Sequence, residues 1–425
     1  MARRRTQLAV VRPELEVSLE RPLRGIIWSL GLGAFGLAWS ITTVAAYLPP
    51  LLQQYTESTT LIGLVLAAEG AFAFFLPLLV GPMSDAAQIS LGRRRPFMVL
   101  ALAPMSTSLA LVAFMHGFGG TALALFAFFF AYYIYEPPYR GLYPDLLPST
   151  YFGRAQGVQH LFRGAALGGA LVGGGFLLDV WQPFPFVLSA GITLLACGAV
   201  VLLVREPALG PPEYERLRTF MAAPWRVIRR HKDVRRFLVA NTAWEATFAG
   251  MRTFVVLYII EGLDQPLYVS STVLAVVAAG YVLAAALATR FGDHWGLGNV
   301  ILGASFVYGL GLLSAGFATT WHWWYYGLIF PVAMAGGTVM TLAWGLLFKV
   351  IPSSDRGTIT GLAVTTRGLG LLIGPLGAGA VIDILRPSLS ATEGYAAVWP
   401  TVAVPILLVI PLVKLLADAE ARARL

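Results

Sequence analysis

Residues 148–179 return, without a gap, as residues 352–383. Pro148-Ser149, Gly157, Arg163, Gly164, Gly173, Gly175 and Asp179 reappear 204 positions on as Pro352-Ser353, Gly361, Arg367, Gly368, Gly377, Gly379 and Asp383. Each copy lies between long apolar runs, and each carries an arginine well inside an apolar segment. A charge at that depth costs several kcal/mol, about 3 on insertion scales, unless it is paired or faces a polar cavity. The chain is therefore a duplicated unit built around buried charge.

The medium follows from the composition. Charged residues make up 12% and hydrophobic residues 57% of the 425 positions, against about 25% charged in an ordinary soluble chain. A bilayer crossing needs about 20 apolar residues. Twelve runs qualify, at 25–49, 61–81, 96–116, 120–147, 155–179, 184–204, 236–260, 270–290, 299–319, 322–349, 357–384 and 395–417. The predicted fold is an all-α membrane protein with twelve transmembrane helices in two pseudo-symmetric six-helix bundles. The expected units are an N-terminal tail (1–24), a first bundle (25–204), a linker (205–235), a second bundle (236–417) and a C-terminal tail (418–425).

The net charge of +8 is a topology signal rather than a nucleic-acid signal. With the N-terminus inside, nearly all Lys and Arg fall in the two tails and the even-to-odd loops. Arg386 is on the outer side, and Arg140, Arg163, Arg252 and Arg367 lie within spans. That bias is the positive-inside rule on short loops, and it predicts a plasma or inner membrane protein with both termini cytoplasmic. Met1 to Glu20 lacks the apolar core of a secretory signal. Cys197 is the sole cysteine, so no disulfide framework and no cysteine metal site are expected. Nothing points to a cofactor: there is no Walker loop, no metal-ligand spacing and no nucleophile elbow. The linker is broken by Pro207, Pro211, Pro212 and Pro224. Around Trp225 it reads either as a helix lying on the membrane surface or as a plain solvated connection.

Span four holds the densest chemistry, running from Tyr132 through Glu136, Pro137, Pro138, Tyr139 and Arg140 to Asp145. Two prolines break helical hydrogen bonding, and the freed carbonyls need a neighbour or water. Glu136 and Arg140 are four apart, acid first, on one face. Counting back from Pro148 at about 1.5 Å per residue puts Arg140 roughly 12 Å deep and Glu136 near the midplane. The pair reads either as a proton switch or as a permanent structural lock. Glu245 and Arg252, seven apart, share a face of span seven. Glu69 is a further mid-span acid. His160 reads as a proton relay or as a buried neutral histidine, three residues before Arg163.

Between spans two and three stand Gly81-Pro82-Met83-Ser84-Asp85 and, six residues on, Gly92-Arg93-Arg94-Arg95-Pro96. This resembles the loop motif of the major facilitator superfamily. Its wide spacer and Gly-Arg-Arg-Arg-Pro ending are similar to the glycoside–pentoside–hexuronide:cation symporters and the sucrose–proton symporters. A worn copy, Gly292-Asp293-His294-Trp295-Gly296, follows span eight. Arg140-Gly141-Leu142-Tyr143-Pro144-Asp145-Leu146 also resembles the span-four pattern of the sucrose symporters. Their coupling aspartate, eleven residues earlier, is here Phe129.

The resemblance implies a monomeric carrier working by alternating access, with spans one, four, seven and ten around a central cavity. On this reading Glu136, Glu245 and Glu69 are proton-coupling candidates. Arg140, Tyr139, Trp39, Arg252 and Trp344 would contact a sugar-like solute, with Ser40, Thr42 and Thr43 nearby. Gly81, Asp85, Gly92, Arg93, Arg94 and Arg95 would form a cytoplasmic gate, with Arg163 and Arg367 as paired gating or structural residues. The expected function is proton-coupled symport of a sugar or glycoside. Export of amphipathic compounds on the same fold, or a sensor or enzyme without transport, are the alternatives.

Overall fold

The computed structural model describes residues 13–87, 91–148, 151–206, 228–350 and 356–424, and among these it contains helices and no strands. The first half comprises α1 (Pro13–Gln53), α2 (Thr59–Ala86), α3 (Arg95–Val112), α4 (Phe118–Leu146), α5 (Phe152–Val180) and α6 (Phe184–Leu203). The second comprises α7 (Lys232–Leu257, ending in a π turn at Tyr258–Gly262), α8 (Leu267–Trp295), α9 (Leu297–Ala315), α10 (Tyr325–Val350) and α11 (Arg356–Leu385). Its last crossing is made by α12 (Val398–Leu408) and α13 (Ile410–Arg424).

Twelve crossings among the described residues are long and apolar enough for a bilayer. Large apolar side chains point outward along them, such as Leu100 at 68% exposure and Leu195 at 75%. Such exposure suits acyl chains as the surrounding solvent, and the chain is an integral multi-pass membrane protein.

The halves meet where small residues let backbones approach closely. Gly70 of α2 lies against Gly368 and Leu372 of α11, and Gly379 of α11 lies against Thr59. α5 packs on α8, and α1 touches α7. Among the described residues α4 and α10 do not pack along one another, which leaves room between them.

Proline acts differently from the sequence expectation. Pro137 and Pro138 lie inside α4, which runs unbroken from Phe118 to Leu146. Each proline removes one i→i−4 bond, and the helix tolerates both losses. The last crossing, by contrast, does break, at Val409. Pro411 has no N–H to give Leu407 there.

The predicted C-terminal tail, 418–425, is helical as far as Arg424, with Glu420 at 2% exposure. α7 begins inside the predicted linker, at Lys232. The proposed surface helix around Trp225 lies outside the described residues.

Candidate functional site: a charged cavity between the halves

A cavity of about 2180 Å³ lies between the halves, lined from α1, α4, α5, α7, α8, α10 and α11 among others. Its charged lining comprises Glu136, Arg140, Arg163, Glu245, Arg252 and Arg367, with His160 beside them. Thr42, Tyr132, Tyr133, Tyr281 and Trp344 also contribute to the wall.

Glu136 and Arg140 form the pair their spacing predicts. The Arg140 Nε donates to Glu136 Oε1 at 2.7 Å, and Nη2 lies 2.7 Å from the same oxygen. The acid side chain is 11% exposed, whereas that of Arg140 is 47% exposed to the cavity. Tyr133 and Ile134, whose carbonyls lose donors to the two prolines, precede the pair by one turn.

The other two acids take partners that spacing along one helix does not suggest. Glu245 faces Arg367 of α11 at 3.8 Å, not Arg252 of its own helix. Arg252 instead pairs across the halves with Glu69 of α2 through Nη2. Glu69 also accepts from the Tyr133 hydroxyl at 3.5 Å. Its side chain is 3% exposed, and it is not among the residues lining the cavity. Arg252 keeps a buried Nε without a hydrogen bond, and its guanidinium sits 6.0 Å from the Phe248 ring centre. Glu245 and Arg252 both line the cavity, as residues on one face of span seven would, but each takes its partner from another helix. Residues seven apart share a face, but partner choice was settled by neighbouring helices.

Trp39 also departs from expectation. It leans on Phe35 and on α5 at Gly169 and does not line the cavity. Ser40 donates to its own helix at Leu37, and Thr43 accepts from Ser189, so the polar face of α1 is largely spent on packing. Tyr139 reaches the cavity wall, but its hydroxyl is committed to the Leu30 carbonyl at 2.7 Å and to the Tyr143 hydroxyl at 2.9 Å.

At the end of the bundle carrying the α2–α3 loop, the arginine run is tied inside the first half. Arg94 Nε donates to Asp145 at the foot of α4 at 2.5 Å, and Arg95 donates to the Val201 carbonyl. The backbone N–H groups of Arg93, Arg94 and Arg95 all donate to Glu206, just past α6. Those are the orphan donors of a helix start, where a carboxylate also meets the positive dipole end. Gly92 has φ +105°, and a Cβ there would press on the Glu206 carboxylate. At Gly141 any Cβ would overlap the Arg94 guanidinium lying across α4. Gly81 has open space around its Cα, and the Asp85 side chain lies outside the described residues.

The second half repeats this device without the sequence motif. Glu420 accepts from the N–H groups of Leu297 and Gly298 at the start of α9, and from Lys349 at 3.1 Å. Lys349 sits 204 residues after Asp145, so the same position carries opposite charge in the two halves. The side chain of Asp293, in the worn motif, lies outside the described residues. Sequence reading missed both Glu206 and Glu420, because a lone acid near a helix end looks like ordinary surface.

At the opposite end the bonds cross between halves. Asp383 of α11 accepts from the N–H groups of Thr59 and Thr60 and from the hydroxyls of Ser58, Thr59 and Thr60, at 2.6 to 3.0 Å. Arg386 donates to the Glu57 carbonyl, and Gln53 to the Tyr395 hydroxyl. An acid on one half thus caps a helix of the other.

The comparisons agree with this architecture. The Major Facilitator Superfamily profile matches residues 30–375, and the chain belongs to that superfamily. It is a transporter, not an enzyme. No curated protein sequence matches it. Among solved structures it is similar to the POT family transporter PepTSo, with 14% identity over 94% of this chain and 98% of that one and a TM-score of 0.73. The nucleoside transporter NupG gives 16% identity over 92% and 98%, with a TM-score of 0.72. A bacterial homolog to the human lysosomal transporter Spinster, in an inward-facing and occupied conformation, gives 14% identity over 94% and 96%, with a TM-score of 0.67. Identities this low speak for the fold alone.

Proposed function

We propose that this protein is a proton-coupled secondary transporter of a sugar-like solute, working as a monomer in the plasma or inner membrane by alternating access. The observation that carries the reading is the Glu136–Arg140 pair, half in the wall and half in the cavity between the two halves. Glu136 exchanges a guanidinium for a proton, and Arg140 is released toward solute. Glu245, held only loosely by Arg367 at 3.8 Å, is the second coupling candidate. The Glu69–Arg252 pair, whose acid is shut away from the cavity while its base lines it, is a strut between halves rather than a proton site. The positive-inside bias puts the α2–α3 end in the cytoplasm. The halves would then be closed on the outer side by Asp383 and parted between α4 and α10. The sugar assignment rests on the Gly92–Pro96 ending and on the Arg140–Leu146 pattern, which resemble the sucrose and glycoside symporters. Tyr132, Tyr281 and Trp344 offer ring faces for sugar C–H groups.

The test is uptake into proteoliposomes. Glu136→Gln is expected to keep solute counterflow while losing accumulation driven by an imposed pH gradient, at least tenfold in final level. Retention of both would remove Glu136 from the coupling mechanism.

One observation favours a second reading. The cavity exceeds the roughly 300–1,000 Å³ of common ligand sites, and Leu310, Leu328, Ile329 and Val332 line part of it. Resistance of expressing cells to hydrophobic toxins, without sugar uptake, would support export of amphipathic compounds instead.

A further inference from the structure

Away from the helix ends, the spans hold three glutamates (Glu69, Glu136, Glu245) and four arginines (Arg140, Arg163, Arg252, Arg367). Each glutamate is matched to one arginine: Glu69 to Arg252, Glu136 to Arg140 and Glu245 to Arg367. Arg163 is the remainder. Among the described residues no carboxylate lies within 4.0 Å of it, and it lines the cavity.

Its position adds to the argument. Arg163 on α5 and Arg367 on α11 are equivalent by the 204-residue repeat, so they approach the cavity from opposite halves. Arg163, Arg140 and Arg367 lie within electrostatic reach of one another. Glu136 and Glu245 lie within electrostatic reach of Arg163, but a guanidinium inside a membrane with no carboxylate in contact is costly, a cost that an apolar residue at this position would avoid. A planar fork of N–H donors held in a solute cavity matches an oxyanion in charge and shape.

We propose that the cavity recognises solutes bearing an oxyanion, a carboxylate or a phosphate ester, which Arg163 binds with help from Arg140 and Arg367. This deepens the transport reading above and rests on it, since the same cavity is the solute site. A ligand held by α4 and α5 of one half and α11 of the other would also report occupancy to both halves.

The experiment measures binding of matched neutral and anionic probes to the purified full-length protein. The pairs are methyl glucoside with methyl glucuronide, glucose with glucose 6-phosphate, and benzyl alcohol with benzoate. In at least one pair the anion is expected to bind roughly 10- to 100-fold more tightly, the scale of a charge-assisted hydrogen bond. Arg163→Gln should erase that advantage, so that the anion and its neutral partner bind with about equal affinity to the variant. Arg163→Lys should keep part of it, because the charge remains and the fork is lost. The glucuronide and the phosphate arms separate carboxylate from phosphate recognition.

The inference is overturned if no anion outbinds its neutral partner, or if the advantage survives in Arg163→Gln. Should Arg163→Gln fail to fold, equal anion affinity in wild type and Arg163→Lys overturns it equally. A preferred neutral sugar would sink this inference and spare the sugar-transport reading. Benzoate binding with both sugar pairs flat would do the reverse.

Discussion

The two ends of the bundle use one device in two ways. At the α2–α3 end, Glu206 caps α3 and Glu420 caps α9, each carboxylate staying within its own half. At the other end, Asp383 of the second half caps α2 of the first. In each case an acid satisfies the orphan N–H groups of a helix start. The consequence differs, because bonds inside a half are indifferent to how the halves are arranged. A cap that crosses the interface exists in one arrangement only. The first kind rigidifies each half, and the second ties the two halves together in this arrangement.

At mid-depth the Glu69–Arg252 pair belongs with the crossing kind, whereas Glu136–Arg140 and Glu245–Arg367 stay within one half. Removing one partner of a buried ion pair costs about 3–5 kcal/mol, while replacing both with apolar residues is often neutral. Glu69→Leu alone should therefore open the cavity toward the α1–α2 end. Most closure should return in Glu69→Leu with Arg252→Leu. Spin labels placed across the α1–α2 and α11–α12 loops would follow both, and equal distances in the single variant and wild type would demote the pair to a bystander.

Asp383→Asn comes next. It keeps some acceptor capacity but loses the charge, a change of about 2 kcal/mol, or roughly 30-fold in the ratio of the two arrangements. The same labels should show the longer distance gaining population, with the thermal stability of the protein nearly unchanged. A stability loss without a distance change would mean that Asp383 acts locally.

Glu206→Gln is expected to do the opposite. Its cap is partly exposed, so about 1–2 kcal/mol of stability should go, read as a lower unfolding temperature in detergent. The label distances should stay where they were. The smallest effect should come from Asp179→Asn. Asp179 is the repeat equivalent of Asp383, but it is exposed, and α8 opens with Leu267 and Tyr268 where α2 opens with Thr59 and Thr60. A change within about 0.5 kcal/mol and no shift in distances would show that the crossing cap is confined to one side of the pseudo-twofold.

Much of this was legible beforehand. Glu136 and Arg140 are four apart on one helix, and helix geometry alone put them together. The Gly92–Arg95 turn was visible as a motif, though its acceptors, Asp145 and Glu206, were not. Arg94 and Asp145 are 51 residues apart and Arg94 and Glu206 are 112 apart. No local periodicity links such positions. Trp39 shows the limit from the other side, since a tryptophan beside polar residues in span one reads as a solute platform until α5 is seen packed on it.

Local physics, the apolar content of each run and the placement of basic loops, was enough to determine the membrane, the number of crossings, the duplication and the presence of charges that need compensation. Tertiary structure alone decided which acid answers which base. Glu69 and Arg252 stand 183 residues apart, and Thr60 and Asp383 stand 323 apart. The reason is physical: a buried charge takes the nearest opposite charge in space, and between packed helices that neighbour is set by rotation and depth, which composition and periodicity along one chain do not encode.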